Sequence, residues 1–190
     1  MMKKLSLYVF LVLMWCNVGV ADDVHFNLKL SCTLIEWKKD IEGYETGQWK
    51  KTPNKKPVIF RHKKIIKNNK IESWWLKTPD VALSTDMIAV DWTRQTASET
   101  ASERELTSDE KSILEGYNEF EKKYKQPGGT MFFNQIENFG YFHAYLSKDN
   151  SEILGIDVIN DPEYLKSIYV KGKLTITSKL SCEVITRINE

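Results

Sequence analysis

Val24-His25-Phe26-Asn27-Leu28-Lys29-Leu30-Ser31-Cys32-Thr33-Leu34 alternates apolar and polar side chains along its whole length. Successive side chains of a strand point to opposite faces, so Val24, Phe26, Leu28, Leu30, Cys32 and Leu34 share one face. His25, Asn27, Lys29, Ser31 and Thr33 share the other. The same pattern returns near the C-terminus, where Leu174, Ile176, Leu180, Cys182 and Val184 oppose Lys173, Thr175, Thr177, Lys179, Ser181 and Glu183. Both half-buried strands carry the tetrapeptide Lys-Leu-Ser-Cys, at 29–32 and 179–182, with the cysteine on the apolar face.

A disulfide between two inward cysteines needs their Cα atoms within about 7 Å, so a Cys32–Cys182 bridge predicts that the first and last strands are adjacent or facing. The alternative is a pair of buried free thiols, since unpaired cysteine packs as a small hydrophobe. Further strands are expected at 58–66, 71–76, 87–93, 131–133, 139–146, 153–159 and 167–170. Lys148-Asp149-Asn150-Ser151 reads as a hairpin turn and Asn160-Asp161-Pro162 as a chain reversal. Many short strands separated by turn signals predict a mainly β fold, an antiparallel barrel or sandwich. Pairing of the terminal strands would also remove the exposed edges of an open sheet.

One segment departs from this pattern. Thr96-Ala97-Ser98-Glu99-Thr100-Ala101-Ser102-Glu103 is a polar tandem tetrapeptide, read as a mobile loop or frayed helix. Thr107 and Glu110 have capping-box spacing. Ile113, Leu114, Tyr117, Phe120 and Tyr124 then recur at helical intervals until Pro127-Gly128-Gly129. This predicts an amphipathic helix over 108–125, and makes residues 95–128 a loop-plus-helix insertion in a single β domain spanning 22–190.

The start of the chain has a different character. Lys3 and Lys4 precede an apolar run from Leu5 to Trp15, and Gly19-Val20-Ala21 follows before Asp22. A basic region, a short apolar region and small residues at a cleavage point describe a secretory signal peptide over 1–21, removed near Ala21. The run is too short to cross a bilayer as a helix. Trp15 immediately before Cys16 is unlike a lipoprotein acceptor site, where small residues precede the cysteine. Cleavage would remove two lysines and no acid from a chain of formal charge +1, leaving −1. Such a domain is expected in the periplasm or outside the cell, where disulfides persist.

Charge is unevenly spread. Residues 50–70 hold nine lysines and arginines and no acid, and residues 99–121 are predominantly acidic, so the two regions either meet or make opposite sides of the molecule. Trp74 and Trp75 follow the basic stretch. Lysines interleaved with aromatic rings suit anionic or sugar-bearing ligands, which makes Lys63, Lys64, Lys67, Lys70, Trp74 and Trp75 the candidate ligand-binding residues. The competing reading is a solvated hairpin tip with edge-guarding lysines. Adjacent tryptophans on a strand point to opposite faces, so one belongs to the core and the other to the surface.

Motifs for catalysis are absent. There is no Gly-x-Ser-x-Gly elbow, and Ser108-x-x-Lys111 has the spacing of penicillin-interacting serine enzymes without their companion motifs, where helix capping explains it better. His25, His62 and His143 stand alone in sequence, with His25 and His143 expected at sheet faces or rims; neither a metal nor a phosphate-bearing cofactor is expected.

The Lys-Lys leader and the two Leu-Ser-Cys strands, at 30–32 and 180–182, resemble small exported β-barrel proteins of Gram-negative bacteria. They are similar to periplasmic lysozyme-inhibitor barrels and, more distantly, to lipocalin-like barrels. The resemblance implies a disulfide-held barrel. It transfers no functional residue, because the inhibitors' recognition loop has no counterpart and the insertion at 96–124 is foreign to the pattern. The expected function is a non-catalytic periplasmic or secreted domain that binds an envelope ligand or protein, with no nucleic acid and no membrane span after cleavage. The alternatives are an envelope hydrolase with carboxylates assembled by the fold, and an assembly or structural factor.

Overall fold

The computed structural model describes residues 24–44, 46–52, 56–77, 86–124, 128–136 and 138–188; of the side chains of Val24, His25, Ile136 and Ile188 nothing is stated. The expected signal segment 1–21 lies outside these residues. Nine strands form one antiparallel sheet: β1 (Val24–Ile41), β2 (Lys50–Lys51), β3 (Val58–Lys67), β4 (Lys70–Lys77), β5 (Asp86–Ala89), β6 (Thr130–Ile136), β7 (Gly140–Leu146), β8 (Glu152–Ile159) and β9 (Leu174–Ile188). From β3 to β9 each strand pairs with the next. β1 pairs with both β3 and β9, which closes an eight-stranded barrel, and β2 adds to the lower part of β1.

The seam of the closure is the long β1–β9 ladder, in which Cys32 lies directly opposite Cys182. The two are disulfide-bonded, with Cα atoms 4.0 Å apart. Their inward direction follows from the alternation: Leu28, Leu30, Cys32 and Cys182 are buried together with Phe60, Trp74, Leu76 and Phe132 in the barrel interior. β1 runs seven residues beyond the sequence expectation. The ladder skips Ile35 between Leu34 and Glu36, and this bulge moves the inward positions from even to odd numbers, so that Ile41 joins the core. Ile35 itself is left largely exposed.

Helix α1 (Val90–Glu103) follows β5 without a loop. The expected strand over 87–93 therefore ends at Ala89, and residues 90–93 are the first helical turn. The tandem tetrapeptide is helical throughout, and tertiary contacts hold it there. The Gln95 side-chain amide accepts from Ile71 N–H (3.1 Å) and donates to Ile71 C=O (3.2 Å), while Lys70 bridges Glu99 at 3.0 Å. That bridge is one point at which the basic and acidic regions meet. Trp92 packs against the barrel core.

Helix α2 (Ser108–Tyr124) begins at the expected capping box. Thr107 N–H donates to Glu110 Oε2 at 2.8 Å and Glu110 N–H donates to Thr107 Oγ1 at 3.3 Å, so the residues of the Ser-x-x-Lys spacing form the helix start. α2 lies on the outer wall, where Tyr117, Leu114, Phe120 and Tyr124 cover Met131, Phe133, Tyr145 and Ile156. Residues 125–127 lie outside the description.

The expected strand at 167–170 is corrected: Pro162–Ser167 forms a short helix, α3, followed by a turn. Asp161 caps it, accepting from Glu163 N–H (2.8 Å) and Tyr164 N–H (3.1 Å), and Pro162 sits in the first turn. Asp-Pro is a helix start as well as a chain reversal. Leu165 and Val170 then close the lower end of the barrel over Ile159 and Leu174. The 148–151 turn is as expected, with Asp149 Oδ1 accepting from the Ser147 and Ser151 hydroxyls and Ser151 N–H.

Candidate functional site on the outer wall

Parity divides the candidate residues between the two surfaces of the barrel. Trp74 and Lys64 face inward, and Trp75 and Lys63 face outward. Trp74 is buried in the core, where its Nε1–H donates to His62 Nε2 at 2.9 Å. His62 is packed edge-on against Phe26 and Phe132, and burial, aided by Lys64, pushes its pKa down to about 4. It is neutral at pH 7, with Nδ1 lacking a partner among the described residues. Lys64 Nζ stands 3.6 Å from the centre of the Trp74 ring. Partial burial lowers its pKa, and Asp91 at the start of α1 acts in the opposite direction.

Lys67 and Lys70 sit at the β3–β4 hairpin tip beside Asn68 and Asn69, both in left-handed conformation. Lys67 lies 3.5 Å from Glu72, and Lys70 pairs with Glu99. These two behave as the solvated tip of the competing reading.

The outward set has more members than the sequence singled out. Across β1, β3, β4 and β5, one register row reads Lys29, Arg61, Lys77, Asp86, and the next reads Asn27, Lys63, Trp75, Ile88. Neighbouring strands lie about 4.8 Å apart, so three cations stand in a line roughly 10 Å long. Lys77 is held by Asp86 at 2.5 Å, with its Nζ 4.9 Å from the Trp75 ring centre. Lys29, Arg61 and Lys63 make no ion pair among the described residues. Like charges directly opposite one another on a sheet destabilise it, so the fold gains nothing from the Lys29–Arg61 and Arg61–Lys77 pairs. Beside the row, Trp75 is half-buried and Ile88 is 44% exposed.

A second lysine–tryptophan group balances itself. Lys38 and Lys179 flank Trp49, with their Nζ atoms 5.8 and 4.3 Å from its ring centre, but Lys38 pairs with Asp40 and Lys179 with Glu36. The unbalanced wall is therefore the stronger candidate. In the sequence Lys29 stood on the polar face of its strand, Arg61 within the basic stretch and Lys77 just beyond the strand expected at 71–76; their alignment is a matter of register.

Two further expectations bear on chemistry. His143, expected at a face or rim, is buried: it is on the outer wall, but Phe120 of α2 stacks on it with ring centres 3.8 Å apart. Asp157 points inward between Phe142 and Ile176, and burial pushes its carboxyl up to about 6. No second charged group contributes to that shift. Among the described residues no cluster of three or more His, Cys, Asp or Glu could hold a metal ion, and no helix is long and apolar enough to cross a membrane. No protein-family model, curated protein or solved structure matches the chain.

Proposed function

We propose that this protein is a non-catalytic, exported binding domain whose outer wall at Lys29, Arg61, Lys63, Trp75 and Lys77 takes an acidic polysaccharide. The observation that carries the reading is the cross-strand cation row, from which the fold gains no stability and beside which lies the half-buried Trp75. A linear polyanion presents charges along a line, as the row does, and a sugar ring has a flat face for Trp75. Export is supported by the leader pattern at 1–21 and by the disulfide, a bond that persists in oxidising compartments. A hydrolase has one feature in its favour, the raised Asp157 carboxyl, but acid–base hydrolysis needs a partner group, and burial alone accounts for the shift.

Retention on dextran sulfate beads tests the reading. Wild-type protein should bind at low salt and elute at high salt, plain dextran should not retain it, and the Arg61→Gln/Lys63→Gln variant should bind about tenfold more weakly. Equal retention of that variant, or preference for duplex DNA over dextran sulfate, would overturn the assignment. Mass spectrometry of protein recovered from the periplasm of an expressing host tests export, since a chain beginning at Asp22 is expected and an unprocessed chain would contradict it.

A further inference from the structure

α2 does not seal against the barrel. Between the helix and the outer faces of β6, β7 and β8 lies a cleft of about 490 Å³, walled by Tyr117, Phe120, Phe133, Tyr141 and His143. Clefts of a few hundred Å³ with apolar and aromatic walls are the usual size and character of small-molecule sites. The rings already pack on one another: Tyr117 meets Phe133 edge-on at 4.8 Å, and Phe133 lies 4.9 Å from His143.

One residue of the cleft is not explained by packing. It is Gly116, exposed, which lines the mouth of the cleft from the middle of α2. Glycine is the least favourable helix-interior residue after proline. Its backbone here is ordinary, and a Cβ would meet no atom within 4 Å, so neither chain geometry nor packing requires it. A longer side chain at this position would extend into the mouth of the cleft. His143, 4% exposed, contributes its ring to the wall, with its Nδ1 sealed from the open space.

We infer that this cleft binds a small, neutral, ring-bearing molecule. Its walls offer ring faces, and its two charged lining residues, Asp109 and Lys173, are of opposite sign, so the lining selects for flatness and against net charge. Burial holds His143 neutral, with its pKa near 4, and pushes the Tyr117 hydroxyl up to about 12, so the walls stay uncharged at pH 7. The site is separate from the cation row, and each can fail without the other.

N-phenyl-1-naphthylamine, a neutral fluorophore that brightens in apolar surroundings, is the probe. Wild-type protein should bind it saturably at one site, and at least tenfold more tightly than the anionic 1-anilinonaphthalene-8-sulfonate. Gly116→Leu should weaken binding of the neutral probe at least tenfold while the thermal midpoint stays level or rises, and Gly116→Ala should raise the midpoint and keep binding within about threefold. Tyr141→Leu, which removes a ring without touching α2, should also weaken binding. Dextran sulfate retention should be unchanged in all three variants. Absence of saturable binding, equal binding by Gly116→Leu and Tyr141→Leu, or tighter binding of the anionic probe would overturn the inference.

Discussion

Acidification from pH 7 to pH 4 sets three buried groups against one another. His62 and His143 have pKa values near 4 in the folded chain against an ordinary 6.5, both depressed chiefly by burial. The unfolded chain binds those protons first, so the stability present above pH 6.5 is lost as pH falls toward 4. Each pKa unit is worth a factor of ten in the folding equilibrium, so each histidine accounts for about 3 kcal/mol. Asp157 has the opposite sign. Its folded pKa near 6 lies above the ordinary 3.8, so its contribution is complete below 3.8 and is lost as pH rises through 6. That contribution is also about 3 kcal/mol. The wild-type chain should therefore lose only about 3 kcal/mol between pH 7 and pH 4, the two histidine losses being offset in part by the Asp157 gain. Asp157→Asn isolates the carboxyl. The variant should be more stable than wild type by about 3 kcal/mol at pH 7 and indistinguishable from it at pH 4, with a steeper pH dependence between. Urea unfolding at pH 4, 5, 6 and 7, followed by tryptophan fluorescence and far-ultraviolet circular dichroism, measures this. Glu110 and Asp149, held near 2 by their hydrogen-bonding partners against ordinary values of 4.5 and 3.8, begin to lose their contribution only at the acid end of the window, and equally in both proteins. A constant offset between the two proteins at every pH, or a variant less stable than wild type at pH 7, would refute the reasoning. The second result would mean that the carboxylate is ionised and paired inside the barrel.

The Cys32→Ala/Cys182→Ala variant should lose about 5 kcal/mol in urea unfolding, because the bridge closes a sequence separation of 150 residues. A loss below about 1 kcal/mol would mean that the β1–β9 seam needs no covalent closure. Trp74→Phe leaves the buried His62 Nε2 without its donor and should cost about 1–3 kcal/mol, read from the thermal midpoint; no cost would place that hydrogen bond outside the stability of the core. Thr107→Ala removes the α2 cap and should cost about 1 kcal/mol, with faster hydrogen exchange confined to the first turn of α2; equal acceleration across the barrel would contradict a local role. Arg61→Gln alone should leave stability level or slightly raised while weakening dextran sulfate retention, since the guanidinium stands between two other cations.

Local regularities carried much of the fold. Period-two alternation placed Cys32 and Cys182 on inward faces, and two inward cysteines on the terminal strands imply closure. The Thr107–Glu110 capping box and the turn at 148–151 were legible because a few neighbouring residues satisfy their own backbone groups. The tandem tetrapeptide was legible only as a loop or a frayed helix, because what orders its helix is Ile71 and Lys70, residues far away in sequence. The lower half of β1 was not legible, since the bulge at Ile35 exchanges the inward and outward positions and a period count stops there. His143 could be placed on the outer wall by parity, but its burial depends on where α2 lies. The candidate wall divides in the same way. Alternation along each strand is a property that the sequence by itself determines, though it left open which of Trp74 and Trp75 faces outward with Lys29, Arg61, Lys63 and Lys77. Their meeting in adjacent rows depends on the register of β1, β3 and β4, and only closure of the barrel decides it. A side chain's face is set by its own backbone; its neighbours are set by hydrogen bonds between strands remote in sequence.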